Sequence, residues 1–492
     1  MPPGEAAAPQ RSLFLTVFPS IMLPMFLAAL DQTIVATALP AIAGSLGEVE
    51  RVSWVVVSYL VANTIAAPVY GRLGDALGRK RMIFLALGVF VGASVVCAVS
   101  GSILMLTFGR LLQGLGGGGL MTLSQALIAD AVPPRERGRY QGYLSGMYAT
   151  AATFGPVAGG WLTQHFGWQS VFLVNLPLGI AAAILVMRLP TQPVRGGRLR
   201  FDVLGTVFFA GFIAPVLLAL ERGQRFDPHS LPVIGVLLAV AVASLFLLLR
   251  QERRASAPLL PLQLFRQAGI WRADAMAACV AGQTVSLISF LPMYLQVVRG
   301  VGTANSGMLL LPLTVGVAMG SLLSGRTIAR TGRTAIIPSI GLTISATSLV
   351  LLAVLAPHLP TPAVIALLAV TSFCTGGAMP VVQMTVQVVA GPKFLGAAAA
   401  SVQFSRSVGA AFGTALVGAV LFALLAAQDQ TTASLFAGLV EEGPRVLATL
   451  SEAQRQLVRA EIADAFRGAF LGVACFTTGG MLFAWWLPVR RI

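Results

Sequence analysis

Charge is what this 492-residue sequence has least of: 10% of it is Asp, Glu, Lys or Arg, against 56% apolar. A soluble protein of this length carries roughly a quarter charged residues, so the chain lacks the polar surface to clothe a water-soluble fold. Disorder and an ordinary cytosolic enzyme are both excluded. Lysine is nearly absent. The two present, Lys80 and Lys393, follow Arg79 and Pro392, so there is no Gly-Lys-Ser/Thr phosphate loop and no basis for ATP-driven pumping. The four cysteines (Cys97, Cys279, Cys374, Cys475) lie far apart in apolar segments, which excludes a secreted disulfide scaffold and favours buried free thiols. His165, His229 and His358 are scattered on connecting segments and make no metal cluster. No cofactor, metal or enzymatic activity is expected.

What the chain does have is long apolar runs. A hydrocarbon core of about 30 Å takes about 20 apolar residues per helix. Breaks at charges, prolines and glycines leave fourteen candidate spans, near 13–41, 52–71, 82–100, 102–128, 138–162, 168–188, 203–220, 231–249, 270–297, 303–325, 335–356, 360–388, 396–425 and 468–488. The first is too long for a signal segment and is expected to be retained. With both termini cytoplasmic, 23 of the 33 Lys and Arg fall on the inner connections and 8 on the outer ones, while Arg110 and Arg406 fall within spans. That asymmetry follows the positive-inside rule. The net charge of +15 is therefore an insertion signal, and no nucleic-acid partner is needed to explain it. The longest outer connection, 426–467, carries apolar residues among charges from Leu450 to Phe466, as either an amphipathic surface helix or a solvated cap would.

The stretch after the second span has Gly71, Asp75, Gly78 and Arg79; the stretch after the tenth has Gly325, Ala329, Gly332 and Arg333 at the same offsets. A duplicated six-helix bundle with two helices inserted between the copies gives this spacing. The expected organisation is an all-α membrane protein: a tail at 1–12, a bundle at 13–190, inserted helices at 191–255, a second bundle at 256–488 and a tail at 489–492. The inserted pair is expected to be a lipid-facing scaffold. Repeated bundles of this kind place substrate sites at their interface near the midplane.

A charge in hydrocarbon costs at least about 2.5–3.5 kcal/mol and marks a cavity or a partner. Four qualify: Asp31, Arg110, Asp274 and Arg406. Asp31 is either a protonatable coupling site or one half of a structural ion pair. Arg110 shares a helical face with Gln113, Gly114 and Gly117, and Arg406 shares one with Gln403, Ser407 and Ala410. Asp274, near Arg272, is either functional or an interfacial pair. Gly155, Pro156, Gly159 and Gly160 cluster in the fifth span, where proline bends a helix and glycine admits a neighbour. Gly114 to Gly119 spells a dinucleotide fingerprint, but within an apolar helix and without the preceding strand it is rejected.

Together these residues resemble the major facilitator superfamily, in its fourteen-helix drug–proton antiporter branch. Leu30 to Pro40 is similar to that branch's first-helix signature and Gly71 to Arg81 to the superfamily's loop motif. Arg110, Gln113 and Gly114 match the fourth-helix motif, and Gly155, Pro156, Gly159 and Gly160 the fifth-helix motif of exporters. Trp168, Phe172, Asn175, Pro177 and Gly179 resemble the start of its sixth helix, with Gln169 where arginine is common. The resemblance implies a proton or cation site at Asp31, a proton pathway through Arg110, and a cytoplasmic latch of Gly71, Asp75, Gly78, Arg79 and Lys80. Ala329 breaks the second copy, which carries no latch role.

The expectation is a monomeric proton-driven exporter of small hydrophobic molecules in a cytoplasmic membrane, working by alternating access. A cationic cargo is favoured, with Asp31, Arg110, Gln113, Asp274 and Arg406 as the coupling and substrate set. The two intramembrane arginines leave open an anionic antibiotic, metabolite or lipid. A non-transporting receptor is a remote alternative, since no soluble signalling domain is evident.

Overall fold

The computed structural model of the chain describes residues 10–47, 51–189, 201–223, 230–255, 258–259, 261–301, 308–392, 394–428, 435 and 452–491. Among these residues there is no strand, only one isolated bridge between Arg333 and Arg491. The expected inner charges Arg195, Arg198, Arg200 and Lys393 lie outside the described residues, as does 429–451 apart from 435.

The first half runs α1 (Gln10–Leu46), α2 (Ser53–Leu77), α3 (Arg79–Ala98), α4 (Ile103–Ala131), α5 (Pro134–Phe166), a single turn α6 (Ser170–Leu173) and α7 (Asn175–Met187). Next come α8 (Val203–Gly223), α9 (Leu231–Arg254) and a turn α10 (Leu262–Phe265). The second half has α11 (Ala268–Met293), which ends in a π turn, Tyr294–Val298, then α12 (Leu311–Thr331), α13 (Ile336–Leu355), α14 (Thr361–Gly376), α15 (Ala378–Ala390), α16 (Leu395–Gln428) and α17 (Glu452–Trp485). Eleven segments are long and apolar enough to cross a membrane. Three further helices, α4, α5 and α12, have 29, 33 and 21 residues but are not among the eleven. Glycine and polar side chains dilute their hydropathy because they serve helix contacts rather than lipid.

Two helix groups result. In the first, α2 and α3 pack on α4 and α1 packs on α5; in the second, α11 packs on α16 and α17, α13 on α17 and α12 on α14. Lipid tails are as apolar as leucine, so close backbone approach rather than hydrophobic burial joins such helices. In α4 this is visible: a Cβ on Gly116 would lie 2.7 Å from Phe90 N and 2.8 Å from Ala86 O on α3, while Gly114 and Gly118 abut α2 at Tyr59 and Asn63. Gly116→Ala is expected to lower the unfolding temperature. The overpacking cost of about 1–3 kcal/mol outweighs the helix-propensity gain of up to about 1 kcal/mol. Gly88→Ala, on α3 with open space around its Cβ, is the control and should be neutral or better.

Two expectations are corrected. The stretch 450–466, expected as an amphipathic surface helix or a solvated cap, belongs from Glu452 on to α17, one helix of 34 residues. Its buried stripe is Val458, Ile462, Ala465 and Phe466, whereas Leu457, one of the residues that suggested a surface helix, is exposed. The twelfth span lies where it was expected, at Thr361–Ala390, and is built of two helices meeting at Gly377. Finally, only α9 is mainly a lipid-facing scaffold: it packs chiefly on α8, whereas α8 also lies against α2 and α16. Phe209 of α8 meets Phe404 of α16 with ring centroids 5.7 Å apart. Thus α8 seals a line along which the two groups meet.

Candidate functional site

Asp31 sits in α1 after two turns of apolar residues that bury the helix on every side, and no part of it reaches solvent. Arg110, two turns into α4, meets it: Nη1 donates to Asp31 Oδ2 at 2.5 Å and to Gln113 Oε1 at 2.7 Å, and Nε donates to Val55 O at 3.2 Å. The other carboxylate oxygen accepts from Gln113 Nε2 and from Asn175 Nδ2, each at 2.8 Å. Ser94 Oγ accepts from both amides, at 2.8 and 3.3 Å. The guanidinium lies over the Tyr59 ring, 4.2 Å from its centroid, and Tyr59 Oη donates to Ala28 O at 3.3 Å. Five helices thus converge on one carboxylate, inside the first group. Of the two readings of Asp31, the ion pair is present in this geometry.

At one end of the molecule the groups touch through bare backbone. A Cβ on Gly71 of α2 would lie 2.6 Å from Gly396 O of α16; in the other pair of facing helices, a Cβ on Gly138 of α5 would lie 3.0 Å from Gly325 O of α12. Gly71 and Gly325 are the matched glycines of the sequence repeat, so the two copies make equivalent contacts. Asp75 carries the first contact further. Its Oδ2 accepts from Gly396 N at 3.2 Å, at the first turn of α16, where helix N-termini attract anions. Its Oδ1 holds Arg79 Nη2 at 2.9 Å. Arg79 Nη1 donates to Ala126 O at 2.6 Å and pairs with Asp130 at the end of α4. Gly78, at φ +94°, makes the turn between α2 and α3 that brings Arg79 back to Asp75. Lys80 Nζ caps α7, donating to Met187 O at 2.8 Å and Leu189 O at 2.5 Å.

Of the fifth-helix cluster, Gly155 and Gly159 press on Thr33, Thr37 and Ile34 of α1. Gly160 has no neighbour within 4 Å of a Cβ, and Pro156 is exposed on an unbroken helix. The two remaining intramembrane charges are on the second group, apart from the first cluster. Asp274 of α11 is buried with neither carboxyl oxygen in a hydrogen bond. Ser401 of α16 stands beside it, its own hydroxyl donating to Ala398 O at 3.0 Å. Arg406 reaches out of the second group instead, lying 5.6 Å from the Tyr148 ring centroid on α5.

The family model described as Major Facilitator Superfamily matches residues 21–414. The chain belongs to the major facilitator superfamily. It is a transporter rather than an enzyme. The relatives include the multidrug transporter protein MdtP of Bacillus subtilis, 30% identical over 90% of this chain and 84% of that protein. An uncharacterized MFS-type transporter of Mycobacterium tuberculosis, Rv1877, is 32% identical over 95% of this chain and 68% of that protein. Two solved structures share the fold at 16% identity: the human organic anion transporter MFSD10, with a TM-score of 0.65, and the proton:xylose symporter XylE, with 0.59. The alignments cover 96% of this chain and 100% of MFSD10, and 98% of each chain for XylE.

In this transporter the sequence had singled out Asp31, Arg110 and Gln113, and the fold joins them. It had not given site roles to Asn175, Ser94, Tyr59 or Asp130. Asn175 had a detectable signal, an amide at the start of an otherwise apolar helix. Tyr59, Ser94 and Asp130 had none, because a tyrosine, a serine and a helix-end aspartate are ordinary in their contexts.

Proposed function

We propose that this transporter is a proton-driven exporter of small hydrophobic molecules, with fourteen spans built as two six-helix halves plus α8 and α9. Both termini are cytoplasmic in this reading, and the cycle is alternating access about the lines where α2 meets α16 and α5 meets α12. The observation that carries it is the wholly buried Asp31 carboxylate paired with Arg110. Adding a proton there removes one charge of a pair that the interior cannot leave unbalanced, so proton binding and helix packing are coupled. In this reading, by the charge distribution of the sequence, the end closed by Gly71, Gly396, Gly138 and Gly325 is cytoplasmic. Asp75 at the N-terminus of α16 is the latch holding it. Facing inward, deprotonated Asp31 favours loading; facing outward, a proton taken up there favours release. The buried Asp274 carboxyl, with no cation beside it, is a second protonatable position. MdtP is named a multidrug transporter, and a broad cargo range enters here as part of the same proposal.

The test is gradient-driven dye movement in proteoliposomes, wild type against Asp31→Asn. Flux that follows an imposed pH gradient in the wild type and falls to background in the variant is expected. Flux that persists in Asp31→Asn would transfer the coupling role to Asp274, to be checked in Asp274→Asn. No gradient dependence in the wild type would end the exporter reading.

A further inference from the structure

The charge of the cargo can be read from what the seam between the halves leaves unmatched. Asp31, the acid expected to attract a cation, is fully buried inside the first group and already accepts from Arg110, Gln113 and Asn175. An organic cation cannot pair with it without displacing those donors. Asp274 lies between α11 and α16, on the side of α16 that carries Ser401. Arg406 is different. It is half-buried, it projects from α16 across to α5 of the other half, and no carboxylate among the described residues pairs with it.

Its depth can be fixed from two helices independently. Arg406 is ten residues beyond Gly396 on α16, and Tyr148 is ten residues beyond Gly138 on α5. At 1.5 Å per residue each lies about 15 Å in from the backbone contacts that close the cytoplasmic end. That is half of a hydrocarbon core about 30 Å thick. The pair is therefore at the midplane, between the two halves, where transporters of repeated architecture hold their substrates. Tyr148 also lies close enough to Tyr59 to interact electrostatically, and Tyr59 is the ring under Arg110. A ligand on Arg406 would thus act on a side chain adjoining the proton-coupling cluster.

We propose that Arg406 and Tyr148 form an anion-binding site, and that the cargo is an amphiphile with one carboxylate, sulfonate or phosphate on an apolar body. The proposal rests on the exporter reading and narrows it. A guanidinium offers five N–H donors in a fixed fork that suits a planar or tetrahedral oxyanion, and the contact with Tyr148 engages only part of that fork. The Tyr148 hydroxyl supplies one more polar contact, and its ring suits the apolar body. A cationic cargo at this depth would instead meet an unmatched like charge in a medium that screens little.

The experiment measures equilibrium binding of dansylglycine, which carries a carboxylate, and of dansylamide, which lacks it, to the purified full-length protein. Wild type is expected to bind dansylglycine at least tenfold more tightly than dansylamide. Arg406→Gln should erase the difference by weakening dansylglycine alone, Arg406→Lys should keep part of it, and the unfolding temperature of Arg406→Gln should stay near that of wild type. Equal affinities in wild type, or a preference that survives Arg406→Gln, would overturn the proposal. So would parallel loss of both ligands with a lowered unfolding temperature, which marks a structural role. The same ligands in proteoliposomes under a pH gradient separate the two readings. An Arg406-dependent preference without flux sustains the anion site and refutes the exporter. Gradient-driven flux with no preference for the carboxylate does the reverse.

Discussion

Replacing Arg110 by glutamine is expected to destabilise the protein by about 3–5 kcal/mol, the range for removing one partner of a buried ion pair. Arg110 is 1% exposed and Asp31 0%, so no water can take over from the lost guanidinium. Gln113 and Asn175 would still donate to Asp31, and hydrogen bonds to a charged group contribute about 1.5–3 kcal/mol each. They soften the loss without cancelling the stranded charge. Asp31→Asn should cost less, since Arg110 keeps the Tyr59 face and the Val55 and Gln113 oxygens. The informative variant is the double change, Asp31→Asn with Arg110→Gln, which removes both charges together. It should unfold closer to wild type than Arg110→Gln does, while gradient-driven flux stays at background. Thermal unfolding of the three variants in detergent, read beside proteoliposome flux, checks this. Losses that simply add in the double variant would show that the pair is not one energetic unit.

Gly396→Val is expected to open the end of the molecule closed by Gly71 and Gly396. A Cβ at Gly396 would lie 2.8 Å from Asp75 Oδ2 and 2.8 Å from Gly71 C, so part of what it meets is backbone that cannot rotate away. Overpacking costs about 1–3 kcal/mol. Displacing Asp75 from the first turn of α16 forfeits a further contribution of about 0.3–1 kcal/mol, up to about 2 in a partly buried geometry. Reversing a 99:1 population takes about 5.5 kcal/mol and equalising it about half of that, so a combined penalty of about 1.3–4 kcal/mol should raise the open state from a trace to a measurable fraction. Spin labels at Arg139 and Arg330, exposed positions near the closed ends of α5 and α12, report the separation. A second, longer distance should appear in Gly396→Val. An unchanged distribution would mean that the Gly71–Gly396 approach is not what holds the halves together.

Much of this molecule was legible in the order of its residues, for a definite reason. The free energy of placing a side chain in hydrocarbon is a property of that side chain, so the apolar spans and the four misplaced charges could be read locally. The repeat was legible too, since Gly71 and Gly325 serve the same backbone approach in both halves. Partner choice was not. Arg110 and Asp31 are 79 residues apart, Asn175 arrives from a helix 144 residues away, and Asp75 meets Gly396 across 321 residues. Which face of each helix turns toward which neighbour depends on where small residues let backbones close in, and apolar periodicity is nearly silent on that when lipid and core are equally apolar. For the same reason α8 read as one more lipid-facing span until its phenylalanines were seen against α2 and α16. The sequence determined that this chain crosses a membrane repeatedly and carries a few charges there. Only the tertiary structure decided that Asp31 is matched and Arg406 is not, because matching is a property of packed helices rather than of any one of them.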